Sequence, residues 1–216
     1  MGLIEERVKK LLKEIPPHVT VVAAAKTRTA EEIEEAIRGG IRIIGENYVQ
    51  ETRKVKEKVS LPCEWHMIGH LQTNKVKHAL KLFSMIQTLD SLKLAEALEK
   101  RCRKEGKEIR VLVEVNIAHE PQKFGIPPED VFDFLEKLRE FPHIRVCGLM
   151  TMGPPVPDPE EIRPLFRRMR ELFERARERF SGIEILSMGM SDTYKIAIEE
   201  GSNMVRIGTA IFGKRR

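Results

Sequence analysis

Short apolar, β-branched runs alternate along the chain with longer segments of helical periodicity, and the two patterns predict alternating strands and helices. The eight predicted strands cover residues 19–24, 41–44, 64–67, 85–88, 110–116, 146–150, 185–188 and 204–207. The helices predicted after them cover residues 30–38, 47–58, 73–80, 91–104, 128–139, 160–180 and 193–200. A further helix is predicted over residues 3–14, where Ile4, Val8, Leu11 and Leu12 recur at the spacing of one helical face.

Eight strand–helix units in a row favour a parallel sheet with crossover helices, and eight is the number that closes a (β/α)₈ barrel. The alternative is an open doubly wound sheet, in which a glycine-rich turn follows the first strand. That position instead contains Ala25-Lys26-Thr27-Arg28, which favours the barrel. We therefore predict an α/β protein with a single (β/α)₈ TIM barrel and an extra N-terminal helix, one domain over residues 1–216.

Polar and glycine residues follow the predicted strands, at the edge where barrel proteins keep their sites. In chain order they are Lys26, Glu46-Asn47, Gly69-His70, Asp90, Asn116, Thr151, the segment 189–192 and Gly208-Thr209. Because the carboxyl ends of parallel strands share one edge of the sheet, we expect these side chains to meet. The sequence therefore predicts a binding site at this edge.

Lys26 follows an apolar run over residues 21–25 that we expect to be buried on both faces of its strand. Loss of hydration beside such a run favours the neutral amine, which is the form that attacks an aldehyde to make a Schiff base. The alternative is that Lys26 extends into solvent from the strand end. Both interpretations stay open on the residues alone.

Two glycine-containing segments, residues 188–192 and 206–209, fit a phosphate cradle. Glycines let backbone N–H groups approach an anion, Ser191 and Thr209 supply hydroxyl groups, and a helix N-terminus favours negative charge. Phosphate sites of barrels lie after strands seven and eight, where these segments fall. The alternative is ordinary turn glycines, with Ser191 or Asp192 capping the last helix.

Composition and charge argue against a nucleic acid or a membrane as the partner of this protein. The 38 Lys and Arg residues exceed the 33 Asp and Glu residues by a net charge of only +5, spread along the chain, which argues against nucleic-acid binding. No apolar stretch is long enough to span a membrane, and residues 1–14 lack the apolar centre of a signal peptide. Cys63, Cys102 and Cys147 form no C-x-x-C pair, so we expect reduced thiols and a cytoplasmic location.

His66 and His70 are four residues apart, but they straddle a strand end and Gly69, so the helical spacing of metal ligands does not apply. No Cys or carboxylate cluster completes a site, and we predict no metal. His66 is expected inside the barrel and His70 at its rim. Glu114 and Asn116 alternate on one face of the fifth strand and are expected to form a polar pair in the lumen.

Several segments at these strand ends resemble the YggS/PROSC family, the pyridoxal phosphate homeostasis proteins. They are Val-Ala-Ala-Ala-Lys-Thr (22–27), Gly-Glu-Asn-Tyr-Val-Gln-Glu (45–51), Trp-His-Met-Ile-Gly-His-Leu-Gln-Thr-Asn-Lys (65–75), Val-Asn-Ile (115–117), Lys-Phe-Gly-Ile (123–126), Gly-Leu-Met-Thr-Met (148–152), Leu-Ser-Met-Gly-Met-Ser-Asp (186–192) and Val-Arg-Ile-Gly-Thr-Ala-Ile-Phe-Gly (205–213). The resemblance spans almost the whole chain in the correct order. It implies a barrel of PLP fold type III, similar to the N-terminal domain of alanine racemase, with pyridoxal 5′-phosphate (PLP) bound at the mouth.

The same resemblance implies roles for six residues. Lys26 would be the Schiff-base lysine, and Asn47 would contact the cofactor ring. The phosphate group would lie on three residues of the last two loops: Ser191, Gly208 and Thr209. Arg206 would face the pyridine nitrogen.

The resemblance implies a role in PLP homeostasis, with the cofactor held and delivered but without established catalysis. PLP enzymes that use the ring as a full electron sink pair its nitrogen with an acid, whereas Arg206 can only donate hydrogen bonds. Racemisation also needs acid–base groups on both faces of the substrate carbon, and only Tyr48 and Tyr194 could supply the second. We therefore predict a carrier with no catalytic residues, with a small PLP-dependent amino-acid racemase as the alternative.

The expected partners of such a carrier are PLP itself and PLP-dependent enzymes that lack their cofactor. A nucleic acid or a membrane is not expected. The chain is expected to be a monomer in preference to an obligate dimer.

Overall fold

Eight parallel strands close into a barrel in chain order, in a computed structural model that describes residues 2–214. The strands are β1 (Thr20–Ala24), β2 (Ile43–Glu46), β3 (Glu64–Met67), β4 (Met85–Leu89), β5 (Ile109–Glu114), β6 (Ile144–Met150), β7 (Ile185–Ser187) and β8 (Met204–Ile207). The last strand pairs with the first, so the sheet has no edge. The predicted (β/α)₈ barrel is therefore confirmed. Met1, Arg215 and Arg216 of the predicted domain lie outside the described residues.

Nine α-helices occur within residues 2–214. They are α1 (Leu3–Glu14), α2 (Ala30–Gly39), α3 (Val49–Lys56), α4 (Val76–Leu82), α5 (Leu92–Glu105), α6 (Val131–Leu138), α7 (Arg163–Arg179), α8 (Tyr194–Glu199) and α9 (Thr209–Phe212). Short 3₁₀ turns precede α4, α6 and α7 at Thr73–Lys75, Pro128–Asp130 and Pro159–Ile162. The predicted N-terminal helix is confirmed as α1, and α9 was not predicted. None of these helices has both the length and the apolar character needed to cross a membrane.

The core has two apolar layers because successive side chains of each strand point to opposite faces of the sheet. The larger layer lies between the strands and the helices. The smaller layer fills the lumen and is built from buried side chains on the strands or directly after them: Val22, Ile68, Met85, Leu112, Cys147, Met150 and Met204. The lumen is therefore packed, and the space for a ligand lies at its mouth.

Capping residues define the ends of several helices. The Thr29 side chain accepts from the Glu32 N–H while Glu32 bonds back to Thr29, which forms a capping box at α2. Gly106 ends α5 in the left-handed conformation. The second strand begins at Ile43 and not at the predicted Ile41, because the Ile41 N–H bonds to the Ala36 carbonyl and completes the C-terminal cap of α2.

Candidate functional site

A cavity of about 300 Å³ opens at the carboxyl-terminal edge of the barrel, a volume within the range of small-molecule sites. All six residues singled out in the sequence line it: Lys26, Asn47, Ser191, Arg206, Gly208 and Thr209. Ala24, Ile68 and Met152 supply apolar wall. The strand ends thus converge as expected, and these six residues bring a lysine, an arginine, an amide and two hydroxyl groups to one cavity, which Arg28 and Asp192 also line.

Lys26 is half-buried and stands two residues after the end of β1. The chain turns sharply there, since the Arg28 N–H bonds to the Ala25 carbonyl at 2.8 Å and Thr27 has a φ of 67°. The Lys26 Nζ atom lies 5.0 Å from the ring centroid of Tyr48, within the range of a cation–π contact. These contacts hold the amine at the cavity and not in open solvent.

Ser191 ties the loop after β7 to the loop after β8. Its Oγ atom accepts from the N–H groups of Gly208 and Ala210, each at 3.2 Å. A hydroxyl group has two acceptor positions and one proton, so the remaining proton is free to donate to a ligand. Ser191 does not cap α8, because that helix begins at Tyr194 after Thr193 and has no side-chain cap. We call Ser191, Gly208 and Thr209 the cradle.

Gly208 lines the cradle without being required by the packing of the protein. A Cβ atom built there would meet only Ala24, at 3.4 Å or more, which is ordinary contact. Gly189 is different, since its φ is +95° and a Cβ would lie 2.5 Å from the Ala197 side chain. The space above Gly208 is therefore open to a ligand, whereas Gly189 is needed for the turn.

Arg206 is 3% exposed and points from β8 into the lumen, where two protein groups hold its guanidinium. Its Nη1 donates to Ser187 Oγ at 2.6 Å, and its Nη2 donates to the Thr151 carbonyl at 2.9 Å. Burial lowers the pKa of Arg206 to about 10, against the opposing effect of the Glu114 charge. The group therefore remains a cation at neutral pH.

Hydrogen bonds continue from Arg206 down the lumen through Ser187, Gln87 and His66, which we call the lumen chain. Ser187 Oγ lies 2.8 Å from Gln87 Oε1, and Gln87 Nε2 lies 3.1 Å from His66 Nδ1. Because arginine only donates hydrogen bonds, the Ser187 hydroxyl group must accept from Arg206 and donate its own hydrogen bond to the Gln87 oxygen. The Gln87 amide nitrogen then donates to His66 Nδ1. His66 is left neutral, with its proton on Nε2.

The pKa of His66 is lowered to about 4, first by burial and further by the charge of Arg110, while Glu64 acts in the opposite direction. This agrees with the neutral imidazole that the lumen chain requires. His66 is confirmed as an interior residue, 1% exposed. Sequence reasoning missed Gln87 and Ser187, although each stands two residues after an inward apolar residue of its strand.

Two buried carboxyl groups flank the site. Burial and the nearby Asp90 raise the pKa of Glu114 to about 7, with Arg206 opposing. Burial and Glu51 raise the pKa of Glu46 to about 7. The expected polar pair of Glu114 and Asn116 is wrong, because β5 ends at Glu114 and the Asn116 side chain instead bonds the backbone of Glu120 to close a turn.

Of the two tyrosines, only Tyr48 lies at the mouth. Tyr194 is buried among residues between the sheet and the helices, and its hydroxyl group is 3.3 Å from a carboxylate oxygen of Glu14. Tyr194 therefore does not reach the cavity, which removes one of the two candidates for a second acid–base group.

Comparisons with known proteins show the family of the chain. The family model described as the alanine racemase N-terminal domain matches residues 2–216. The pyridoxal phosphate homeostasis protein of Aquifex aeolicus is 42% identical over 198 residues, which cover 91% of this chain and 87% of that protein. The chain belongs to the pyridoxal phosphate homeostasis protein family. The expected family membership is thereby confirmed.

Two solved structures place this family member among its neighbours. PipY of Synechococcus elongatus with PLP bound has a TM-score of 0.90 at 31% identity, covering 97% of this chain and 100% of that chain. Alanine racemase of Clostridium difficile has a TM-score of 0.81 at 14% identity, covering 98% of this chain and 56% of that chain. The second likeness is one of fold alone.

We expect the replacement His66→Gln to change how stability depends on pH. Native His66 binds a proton only near pH 4, whereas the unfolded chain binds it near pH 6.5, so wild-type stability is lost as pH falls through this window. Relative to His66→Gln, the wild type should lose about 1.6 kcal/mol between pH 6.5 and pH 5. Urea unfolding at both pH values measures this difference.

The exposed His78 on α4 provides the matched control, and His78→Gln should keep the wild-type pH dependence. The buried carboxyl groups titrate in all three proteins and cancel in the comparison. A His66→Gln variant with wild-type pH dependence would contradict the neutral imidazole.

Proposed function

We propose that this protein binds PLP through a Schiff base on Lys26 and serves PLP homeostasis by holding and delivering the cofactor. The observation that carries the proposal is the convergence of Lys26, Asn47, Arg206 and the cradle on one cavity. The relatives support it, since they bear the name of PLP homeostasis proteins and PipY has a structure with PLP bound.

The residues present fit the chemical groups of PLP. The cradle offers the Ser191 and Thr209 hydroxyl groups to the phosphate, and the open space above Gly208 admits it. Asn47 would contact the ring, and Arg206 would face the ring nitrogen with the N–H groups that Ser187 and Thr151 leave free. When bound, PLP supplies an aldehyde that reacts with amines and a ring that accepts electrons.

Arg206 favours carriage over catalysis. A cation that only donates hydrogen bonds stabilises an unprotonated ring nitrogen, which weakens the ring as an electron sink. Ser187 and Thr151 hold the guanidinium of Arg206 in place, so this cation is the group beside the proposed position of the ring nitrogen. The alternative, a small PLP-dependent amino-acid racemase, would need a second acid–base group, for which Tyr48 is the remaining tyrosine.

The wider role follows from the same proposal. The partners would be PLP and PLP-dependent enzymes lacking their cofactor, with no nucleic acid. We place the protein in the cytoplasm as a single-domain monomer over residues 1–216. The three cysteines, Cys63, Cys102 and Cys147, are free, which fits a reducing compartment.

Borohydride reduction of the PLP-loaded protein should fix the cofactor on Lys26, because only a Schiff base is reduced to a stable amine. Peptide mass spectrometry locates the adduct. Lys26→Ala should lose the visible absorbance band but keep part of its PLP through the cradle. Lys195→Ala, which changes an exposed lysine of α8, should behave as wild type. An adduct on any other lysine would overturn the assignment.

Ser191→Ala and Gly208→Ala should weaken PLP binding far more than folding. Loss of one hydrogen bond to a charged group costs about 1.5–3 kcal/mol, which is roughly tenfold to over a hundredfold in Kd. A methyl group at Gly208 has room in the protein but occupies the cradle. Equilibrium titration with PLP measures Kd, and Ser181→Ala, an exposed serine after α7, is the control. Wild-type affinity in both cradle variants would place the phosphate elsewhere.

Carriage and racemisation are separated by α-proton exchange of L-amino acids in deuterated water, followed by NMR. For a carrier, the PLP-loaded protein should exchange the α-proton no faster than free PLP does. Enzymes typically reach about 1–10³ s⁻¹. A rate in that range which disappears in Lys26→Ala would establish the racemase alternative in place of the carrier.

A further inference from the structure

A second cavity, of about 370 Å³, adjoins the first at Asn47, which lines both. We call it the side cleft. Its wall also contains Tyr48, whose ring lies beside the Lys26 amine. Gly69 permits the close approach of the two strand ends, because a Cβ there would lie 2.5 Å from the Asn47 carbonyl oxygen. The side cleft is therefore a lateral approach to Lys26, distinct from the cradle.

An oriented imidazole lies in the wall of the side cleft. His70 Nδ1 is 2.9 Å from Asp90 Oδ2, and the Asp90 side chain is only 7% exposed. A carboxylate accepts hydrogen bonds, so Nδ1 carries a proton, and in the neutral ring the lone pair is then on Nε2. Phe124 stacks on the ring at 3.7 Å and 9°, which fixes its plane. Among the described residues, none hydrogen-bonds to Nε2.

The wall of the side cleft also contains a cation that could bind a carboxylate. Lys75 lines the side cleft, and no carboxylate within residues 2–214 pairs with its ammonium group. The base His70 and the cation Lys75 suit the two ends of an α-amino acid. An ammonium group would lie toward His70, and a carboxylate would lie toward Lys75.

We propose that the side cleft binds a free amino acid and that His70 is the base that deprotonates the ammonium group of this amino acid, so that its nitrogen can replace Lys26 on PLP. This proposal rests on the proposed function. An ammonium nitrogen has no lone pair and cannot attack until it loses a proton. His70 Nε2 takes that proton while Asp90 stabilises the imidazolium. The protein would thus release its cofactor from Lys26 in response to amino acids.

The exchange balances without a co-reactant. A bond forms from the amino-acid nitrogen to the aldehyde carbon of PLP, and the bond from that carbon to the Lys26 nitrogen breaks. The protons that leave the incoming nitrogen end on Lys26, which departs as an ammonium group. No electrons are gained or lost overall.

The test compares two amines on the PLP-loaded protein at neutral pH, with the visible band followed by stopped-flow absorbance. L-Alanine arrives as an ammonium ion, whereas hydroxylamine is already unprotonated and needs no base. His70→Gln should slow exchange with alanine about a hundredfold and leave hydroxylamine unchanged, since general bases contribute roughly 10²–10⁴-fold. The exposed His78→Gln is the control and should match wild type with both amines.

Lys75→Met tests the carboxylate end of the site. It should raise the half-saturating concentration of alanine about tenfold or more and leave that of ethylamine, which has no carboxylate, unchanged. In the protein without PLP, ¹⁵N NMR should show the His70 proton on Nδ1. This readout is independent of the loaded protein and of any effect on folding.

The outcomes distinguish a failure of PLP binding from a failure of the role proposed for His70. A wild-type protein that develops no visible band with PLP contradicts the proposed function, and the inference falls with it. A normal band whose exchange with alanine is as fast in His70→Gln as in wild type overturns the inference alone. A proton found on Nε2 of His70 also overturns it.

Discussion

The pairing of β1 with β8 is the constraint on which the site depends. The register places Val22 opposite Arg206 and Ala23 opposite Ile207. Closure therefore brings the strand that leads to Lys26 beside the strand that carries Arg206 and leads to Gly208. Two segments separated by most of the chain become adjacent, and an amine, a guanidinium and a phosphate cradle share one cavity. An open sheet with the same strands would leave them at opposite edges.

Closure also creates the need for the lumen chain. A charge placed in a packed barrel loses its hydration and must be bonded within the protein. Arg206 meets this requirement through Ser187 and the Thr151 carbonyl, and Ser187 in turn requires a partner that accepts its proton. Each bond fixes the direction of the next, down to the neutral His66. The guanidinium of Arg206 is thus held in place by Ser187 and Thr151, and the orientation of the Ser187 hydroxyl group depends in turn on Gln87.

The mouth itself is divided into unlike halves. The loops after β7 and β8 present the hydroxyl groups of Ser191 and Thr209, which suit a phosphate. The loops after β3 and β4 present the His70–Asp90 pair, which suits an amine that must lose a proton. Lys26 and Asn47, after β1 and β2, lie between them. This arrangement lets one side of the cavity hold the cofactor while the other side admits the group that competes with Lys26.

The alternation of strand and helix patterns determined the barrel, and the residues at the strand ends determined the cavity, because both depend on local periodicity and on the shared edge of parallel strands. The limits of β2 and the role of Ser191 required the structure, since each is set by a hydrogen bond to a distant or capping group. The lumen chain and the pairing of His70 with Asp90 were also decided there. Gln87 and Ser187 are 100 residues apart in the chain, and nothing local specifies that one will donate to the other. Sequence periodicity states which face a side chain occupies, but only closure of the barrel decides which side chains meet across the lumen.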